Sequence, residues 1–186
     1  ALPQIAGAWT LGNRKEFERK VTVVLRSNFV IGFPLYLGLS AMSRQILEFL
    51  FSGRQQEVSV SATSLFILGL GGVFLTLSST FISIFQVIGR SDLPVKLMLP
   101  GCAVKLIFNV FTISVPAINI NGAAVSTVIM YAAVALGGYF ALENVTGIDF
   151  HIIRRMAVPL SAGIVCAVVS RIVYGFVGES VNAVAA

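Results

Sequence analysis

The segment VKLMLPGCAVKLIFNVFTISV, residues 95–115, is apolar over a length that can cross a bilayer; besides Lys96 at its start, it contains a lysine in its interior, Lys105. Four small or polar residues recur there at steps of four, four and three: Gly101, Lys105, Asn109 and Thr112. A helix places residues at this spacing on one face. At about 1.5 Å per residue, Lys105 would lie roughly 15 Å along the axis, near the middle of a ~30 Å hydrocarbon layer.

A lysine at this depth costs at least about 2.5 kcal/mol unless it faces water or a partner group. The cost leaves two interpretations of Lys105, and the first is a functional role for its cation. The alternative is a structural lysine that hydrogen-bonds to backbone carbonyls or to a neighbouring helix. Both interpretations predict that the segment is a membrane helix.

The composition of the whole chain indicates the same class. Hydrophobic residues make up 56% of the 186 residues, charged residues 11%, and the mean hydropathy is +0.91. Soluble domains usually carry about 25% charged residues. No charge occurs in residues 58–89 or in residues 106–142. A soluble core of this size could not bury both runs, so we predict an all-α, polytopic membrane helical bundle.

The chain is predicted to contain five membrane helices, at about residues 21–42, 61–88, 95–115, 122–142 and 156–177. They would form a bundle over residues 21–178, with a basic linker at residues 1–20 and a tail at residues 179–186. Residues 43–57 are too polar to span and predict a short interfacial helix. In the second span, small and polar residues recur at steps of four, three, four and three: Gly72, Thr76, Ser79, Ser83 and Gln86. This row predicts either a packing seam or one wall of a polar cavity.

Lysine and arginine are distributed unequally between the two sides of the predicted bundle. One side carries eight: Arg14, Lys15, Arg19, Lys20, Arg90, Lys96, Arg154 and Arg155; the other carries two, Arg44 and Arg54. The positive-inside rule therefore predicts that residues 1–20 are cytoplasmic and that the tail lies outside. Arg171, in the outer half of the fifth span, is expected to extend towards the outer interface.

The residue pattern disfavours several classes of function. The net charge of +5 arises in the connections between spans, where topology explains it, so no nucleic-acid partner is predicted. No cluster of His, Cys, Asp or Glu has the spacing of a metal site, and no nucleophile has an adjacent base. We therefore predict no catalytic residue, metal or cofactor, and expect that the protein is not an enzyme.

Several passages resemble one transporter family. ALPQIAGAWTLGNRKEFERKV, residues 1–21, resembles the cytoplasmic linker after the eighth helix in the polysaccharide-exporter branch of the multidrug/oligosaccharidyl-lipid/polysaccharide (MOP) superfamily. That branch includes stage V sporulation protein B and is related to the MviN-type lipid II flippases. QVIGR at residues 86–90, followed by DLP, is similar to the family's "LQ-x-G-R…P" turn. Lys105 and Asn109, followed by INGAA at residues 120–124, are similar to its "K-x-x-x-N…GINGAA" passage.

The resemblance extends to about residue 148 and implies helices nine to thirteen of a fourteen-helix transporter. The chain would then be a piece of a longer protein, whose N-terminal lobe is its partner. Such a protein moves a lipid-linked oligosaccharide or peptidoglycan precursor across the cell membrane, for polysaccharide, cell-wall or spore synthesis. Two lobes rock around a polar cavity. The candidate cavity-lining residues are Lys105, Asn109, Gln86, Thr112 and Ser83.

Two other functions compete with this interpretation. A multidrug or cation antiporter of the same superfamily would bind its ion with intramembrane carboxylates, and the predicted spans contain none. A structural membrane subunit without transport activity would explain the small-residue row but not a lysine in mid-membrane.

Overall fold

The computed structural model describes residues 2–51, 55–113, 119–148, 150 and 152–185. In these ranges the chain forms seven helices and no strand: α1 Leu2–Thr10, α2 Arg14–Ala41, α3 Ser43–Leu50, α4 Gln55–Val87, α5 Asp92–Ile113, α6 Asn119–Thr146 and α7 Ile152–Ala185. Five of them, α2 and α4 to α7, are long and apolar enough to cross a membrane. The predicted all-α membrane bundle is confirmed.

The helices extend past the predicted membrane segments. α2 begins at Arg14 because the Asn13 side chain accepts a hydrogen bond from the Glu16 amide, at 3.2 Å, and so caps the first turn. α6 continues to Thr146 and includes Glu143, and α7 continues to Ala185 through most of the predicted tail. Hydropathy marks the hydrocarbon-facing part of a helix, whereas backbone hydrogen bonding continues into the polar layer. Arg54 and the predicted end of the third span at residue 115 lie outside the described residues.

The spanning helices pack in the order α7, α2, α4, α6, α5. The centre is α4, which packs against both α2 and α6, while α5 packs mainly on α6 and α7 packs on α2. The short helix α1 contacts α2 and α4, and α3 contacts α4. Because α3 follows the last residue of α2 and α1 precedes its first, these two short helices lie at opposite ends of the bundle.

Small residues allow α2 and α4 to approach closely. A Cβ added to Gly69 would lie 2.8 Å from the Ser40 Cα, and one added to Gly32 would lie 2.6 Å from the Thr76 Oγ1. One turn further, the Asn28 Nδ2 donates to the Thr80 Oγ1 at 2.9 Å. The predicted row of small and polar residues on α4 therefore has two parts with different surroundings. Its first members pack against α2, with Gly72 against Tyr36 and Thr76 against Gly32, whereas Ser79 and Gln86 are exposed.

Large apolar side chains concentrate at the α1 end of the bundle. The largest fully buried side chains are aromatic: Phe17, Phe29, Phe33, Phe81, Phe85 and Phe150. They form one cluster with Ile5 of α1 and Leu142 of α6. Phe150 lies between α6 and α7 in sequence, and its side chain packs into the core at this end.

Candidate functional site

The polar face of α5 lies against α6. Gly101 is buried there, and a Cβ added to it would lie 3.1 Å from the Met130 Cγ and 3.2 Å from the Val134 Cγ2. The four residues of the predicted face are buried or half-buried: Gly101, Lys105, Asn109 and Thr112. The residues between them on α5 are exposed. These four residues therefore form one stripe along α5, which is the part of the helix that contacts α6. We call it the Lys105 stripe.

Asn109 is held in place by a hydrogen bond to α6. The Ser126 hydroxyl is 2.6 Å from the Asn109 Oδ1 and 3.0 Å from the Ala123 carbonyl, and Ser126 is almost completely buried. Because Ser126 donates to the side-chain oxygen, the Asn109 NH2 group remains a donor. Ser126 was not among the predicted site residues, because nothing in the sequence links two residues that lie 17 positions apart on different helices.

Lys105 is half-buried one turn before Asn109. Among the described residues, no carboxylate forms an ion pair with its ammonium group and no carbonyl accepts a hydrogen bond from it. The lysine therefore lacks the carbonyl partners that the structural interpretation requires within this part of the chain. The stripe instead offers two hydrogen-bond donors four residues apart, one of them charged. Such a pair suits an oxygen-rich, anionic ligand.

The other candidate residues differ in position. The Thr112 hydroxyl donates to the Phe108 carbonyl at 2.8 Å, and the Ser83 hydroxyl donates to the Ser79 carbonyl at 2.9 Å, so both protons are used within their own helices. Gln86 is exposed in the last turn of α4.

Lys105 lies 13 residues into α5, which is about 20 Å along its axis, whereas Ser83 lies within about 6 Å of the end of α4. α4 and α5 contact each other only slightly, with α6 packed against both. The structure therefore brings Lys105, Asn109 and Thr112 together and does not bring Gln86 or Ser83 to them.

A separate cavity lies between α2, α4 and α6 and was not expected from the sequence. It has a volume of about 190 Å³ and is lined by side chains that include Tyr36, Leu75, Val128 and Tyr131, together with the glycines of α4. Its lining is largely apolar, and it is smaller than the ~300–1,000 Å³ of typical ligand pockets. It is a gap left by the glycines rather than a site for a sugar headgroup.

Comparison with known proteins shows which sequences this chain is similar to. The sequence model of the family described as "Lipid II flippase MurJ" matches residues 1–183. The chain is 30% identical over 129 residues to an uncharacterised membrane protein of Methanocaldococcus jannaschii, an alignment covering 69% of the chain and 24% of that relative. It is 21% identical over 178 residues to the lipid II flippase MurJ of Bacillus subtilis, covering 95% of the chain and 32% of that relative.

The chain thus spans about a quarter to a third of the length of the curated relatives it matches. No solved structure has a significant match to it.

Proposed function

The chain belongs to the lipid II flippase MurJ family, and on this premise we propose that it forms part of the C-terminal lobe of a transporter that flips a lipid-linked sugar precursor. Its five apolar helices and its family make it a multi-pass cell membrane protein. The substrate we favour is a peptidoglycan precursor, on the strength of the Bacillus relative's name. The polysaccharide-exporter branch, a role in sporulation and the cytoplasmic location of residues 1–20 stay predictions.

The proposal rests on Lys105, a half-buried lysine of a spanning helix whose ammonium group has no partner among the residues that the structure describes. An intramembrane lysine costs several kcal/mol unless it is compensated, and such residues usually face a substrate pathway. A pyrophosphate-sugar headgroup carries negative charge and many oxygen acceptors. Lys105 would bind its phosphate oxygens, and the Asn109 NH2 group would donate to phosphate or sugar oxygens.

The position of α5 supports a cavity between two lobes. α5 is the last helix of the row and packs mainly on α6, so most of its surface, including Leu106 and Phe111, is exposed in this chain. A second lobe placed against this end of the row would enclose the Lys105 stripe. The cavity would then be completed by residues that precede this chain in the full-length protein.

The test uses the complete reading frame that contains this chain, expressed in a bacterium depleted of its own lipid II flippase. Replacing Lys105 with alanine is expected to slow flipping about ten- to a hundredfold, because a charge-assisted hydrogen bond contributes about 1.5–3 kcal/mol. The readout is accumulation of peptidoglycan precursor on the cytoplasmic side. Lys105→Arg, which keeps the charge, should retain part of the activity.

Lys96→Ala is the matched control, since Lys96 is an exposed lysine of the same helix that pairs with Asp92 at 3.1 Å. Membrane levels of all variants are measured in parallel. The expected result is that the wild-type protein and Lys96→Ala rescue growth and Lys105→Ala does not. That result supports both the flippase function and the role of Lys105. Undiminished rescue by Lys105→Ala would refute the role of the lysine, and failure of the wild-type protein to rescue would refute the peptidoglycan precursor as substrate.

The antiporter alternative gains one observation from the structure. Glu143, predicted to lie in a connection, is in the last turns of α6, where the Tyr139 hydroxyl donates to its carboxylate at 2.5 Å. It is therefore a carboxylate on a spanning helix, as an ion-coupled antiporter would need. It lies at the helix end, however, close to the polar layer, and not beside Lys105.

A further inference from the structure

A polar pocket lies at the α3 end of the bundle, away from Lys105. Its volume is about 290 Å³, and it is bounded by the end of α2 and by α3, α4 and α7. The described residues that line it include seven with polar side chains: Ser40, Ser43, Arg44, Gln45, Ser59, Thr63 and Arg171. The two arginines are 127 positions apart in sequence, Arg44 in α3 and Arg171 in α7. Their convergence on one pocket is a property of the fold and is independent of the transport mechanism.

The described residues that line the pocket include two arginines and no carboxylate. Arg44 pairs through its Nε with the Glu48 Oε1 at 2.7 Å, one turn along α3. Among the described residues, Arg171 forms no ion pair. Counted over the described residues of the pocket and of α3, two guanidinium groups and one carboxylate leave one positive charge in excess. One positive charge balances the single negative charge of a phosphodiester. It does not balance the larger negative charge of a pyrophosphate.

Gln45 adds a requirement for a hydrogen-bond donor. Its Oε1 is the one buried side-chain oxygen or nitrogen, in the described part of the chain, that has no hydrogen-bond partner. A buried acceptor without a partner costs about 1–3 kcal/mol. A bound molecule with a hydroxyl group beside its phosphate would satisfy this atom once the Gln45 side chain turns to open it to the pocket.

α3 positions the pocket at the surface of the bilayer. Its polar residues Arg44 and Glu48 alternate with apolar ones, and Phe49, Leu50 and Phe51 at its end are exposed by 87%, 63% and 54%. A short amphipathic helix with exposed aromatic residues lies in the interface, at the depth of the lipid headgroups. A ligand that reaches the pocket from the side is therefore a membrane lipid.

We propose that this pocket binds the headgroup of an anionic phospholipid of the phosphatidylglycerol class. The phosphodiester lies between the guanidinium groups of Arg171 and Arg44, and a glycerol hydroxyl donates to the Gln45 Oε1. Phosphatidylethanolamine also offers a donor, but it is neutral and leaves the excess charge of the pocket uncompensated. The bound lipid would hold α7 against α2 and α3 at this end of the bundle.

The experiment measures lipid binding to the purified full-length protein by native mass spectrometry, with phosphatidylglycerol, phosphatidylethanolamine and phosphatidic acid titrated separately. Arg171→Gln is expected to lower the affinity for phosphatidylglycerol about fivefold, the effect of one basic residue near an anionic lipid surface. Arg171→Lys should keep most of the affinity. Gln45→Leu should weaken phosphatidylglycerol binding more than phosphatidic acid binding, because phosphatidic acid has no alcohol hydroxyl group in its headgroup.

Arg90→Gln is the matched control, since Arg90 is also an exposed arginine beside a carboxylate, 3.5 Å from Asp92, in the turn before α5. Size-exclusion chromatography checks that each variant is folded. Equal binding of phosphatidylglycerol to the wild type and to Arg171→Gln would overturn the proposal. So would equal affinity for phosphatidylethanolamine, or displacement of phospholipid by a lipid-linked pyrophosphate. Because transport is not the readout, the result stands apart from the test of Lys105.

Discussion

Replacing Gly69 with alanine tests whether the close contact of α2 and α4 holds the centre of the bundle together. A Cβ at residue 69 would lie 2.7 Å from the Ser40 Cβ, 2.8 Å from its Cα and 2.9 Å from its backbone nitrogen. Ordinary contacts of a Cβ begin at 3.4 Å. Two of the three atoms belong to the backbone of α2, so no side-chain rotation relieves the overlap and the helices must separate by about 0.6 Å.

Separation weakens the contacts on either side of Gly69. The Ser40 hydroxyl donates to the Phe66 carbonyl of α4 at 2.9 Å, and a shift of this size would stretch that bond towards the limit of hydrogen bonding. Overpacking a well-packed site costs about 1–3 kcal/mol, and an interhelical hydrogen bond in a membrane contributes about 0.6 kcal/mol. We therefore expect Gly69→Ala to lower the free energy of unfolding by about 2 kcal/mol.

The measurement is unfolding of the full-length protein by titration with sodium dodecyl sulfate, followed by helix content and by tryptophan fluorescence. Gly38→Ala is the matched control, because Gly38 lies on the same helix as Ser40 and nothing lies within 4 Å of a Cβ added there. We expect it to change the free energy of unfolding by less than about 0.5 kcal/mol. Equal destabilisation by the two variants would show that the α2–α4 contact does not require the glycine and would refute the reasoning.

Two further variants probe the polar groups of α6. Ser126→Ala removes the 2.6 Å hydrogen bond to Asn109 and is expected to slow flipping about threefold in the depletion assay, since an interhelical hydrogen bond contributes about 0.6 kcal/mol. Thr127→Ala, whose hydroxyl donates to the Ala123 carbonyl of its own helix at 2.8 Å, should leave the rate unchanged, and equal effects would contradict a positioning role for Ser126. Glu143→Gln keeps a hydrogen-bond acceptor for Tyr139 but removes the charge, and we expect unaltered precursor flipping and drug tolerance. Drug tolerance that depends on Glu143 would favour the antiporter instead.

The sequence was sufficient for the features that depend on local periodicity and hydropathy. The five spanning helices follow from uninterrupted apolar runs, because a bilayer requires helices of nearly fixed length. The stripe of Gly101, Lys105 and Asn109 follows from the helical repeat, and the structure shows it as the less exposed face of α5. Both inferences need no knowledge of which helices are neighbours.

Features that depend on neighbours could not be predicted from this sequence. The hydrogen bond between Ser126 and Asn109 joins two helices, and either residue alone is unremarkable in a membrane helix. The row from Gly72 to Gln86 has one period, but only its first part meets α2, because crossing helices contact each other over a limited length. Arg171 was expected only to extend towards the interface. It lines the same pocket as Arg44 because α7 lies beside α2.

The position of α7 beside α2 also constrains how the protein is made. α2 is complete at Ala41, but the helix that covers it, with Gly163 approaching the Phe33 backbone, begins at Ile152. A ribosome adding about 5–20 residues per second needs about 5–20 s to synthesise the intervening segment. During that interval the surface of α2 that later receives α7 is covered by lipid or by the insertion machinery. This flank of α2 therefore closes only when α7 displaces them, and a nascent chain arrested before α7 would retain an open flank.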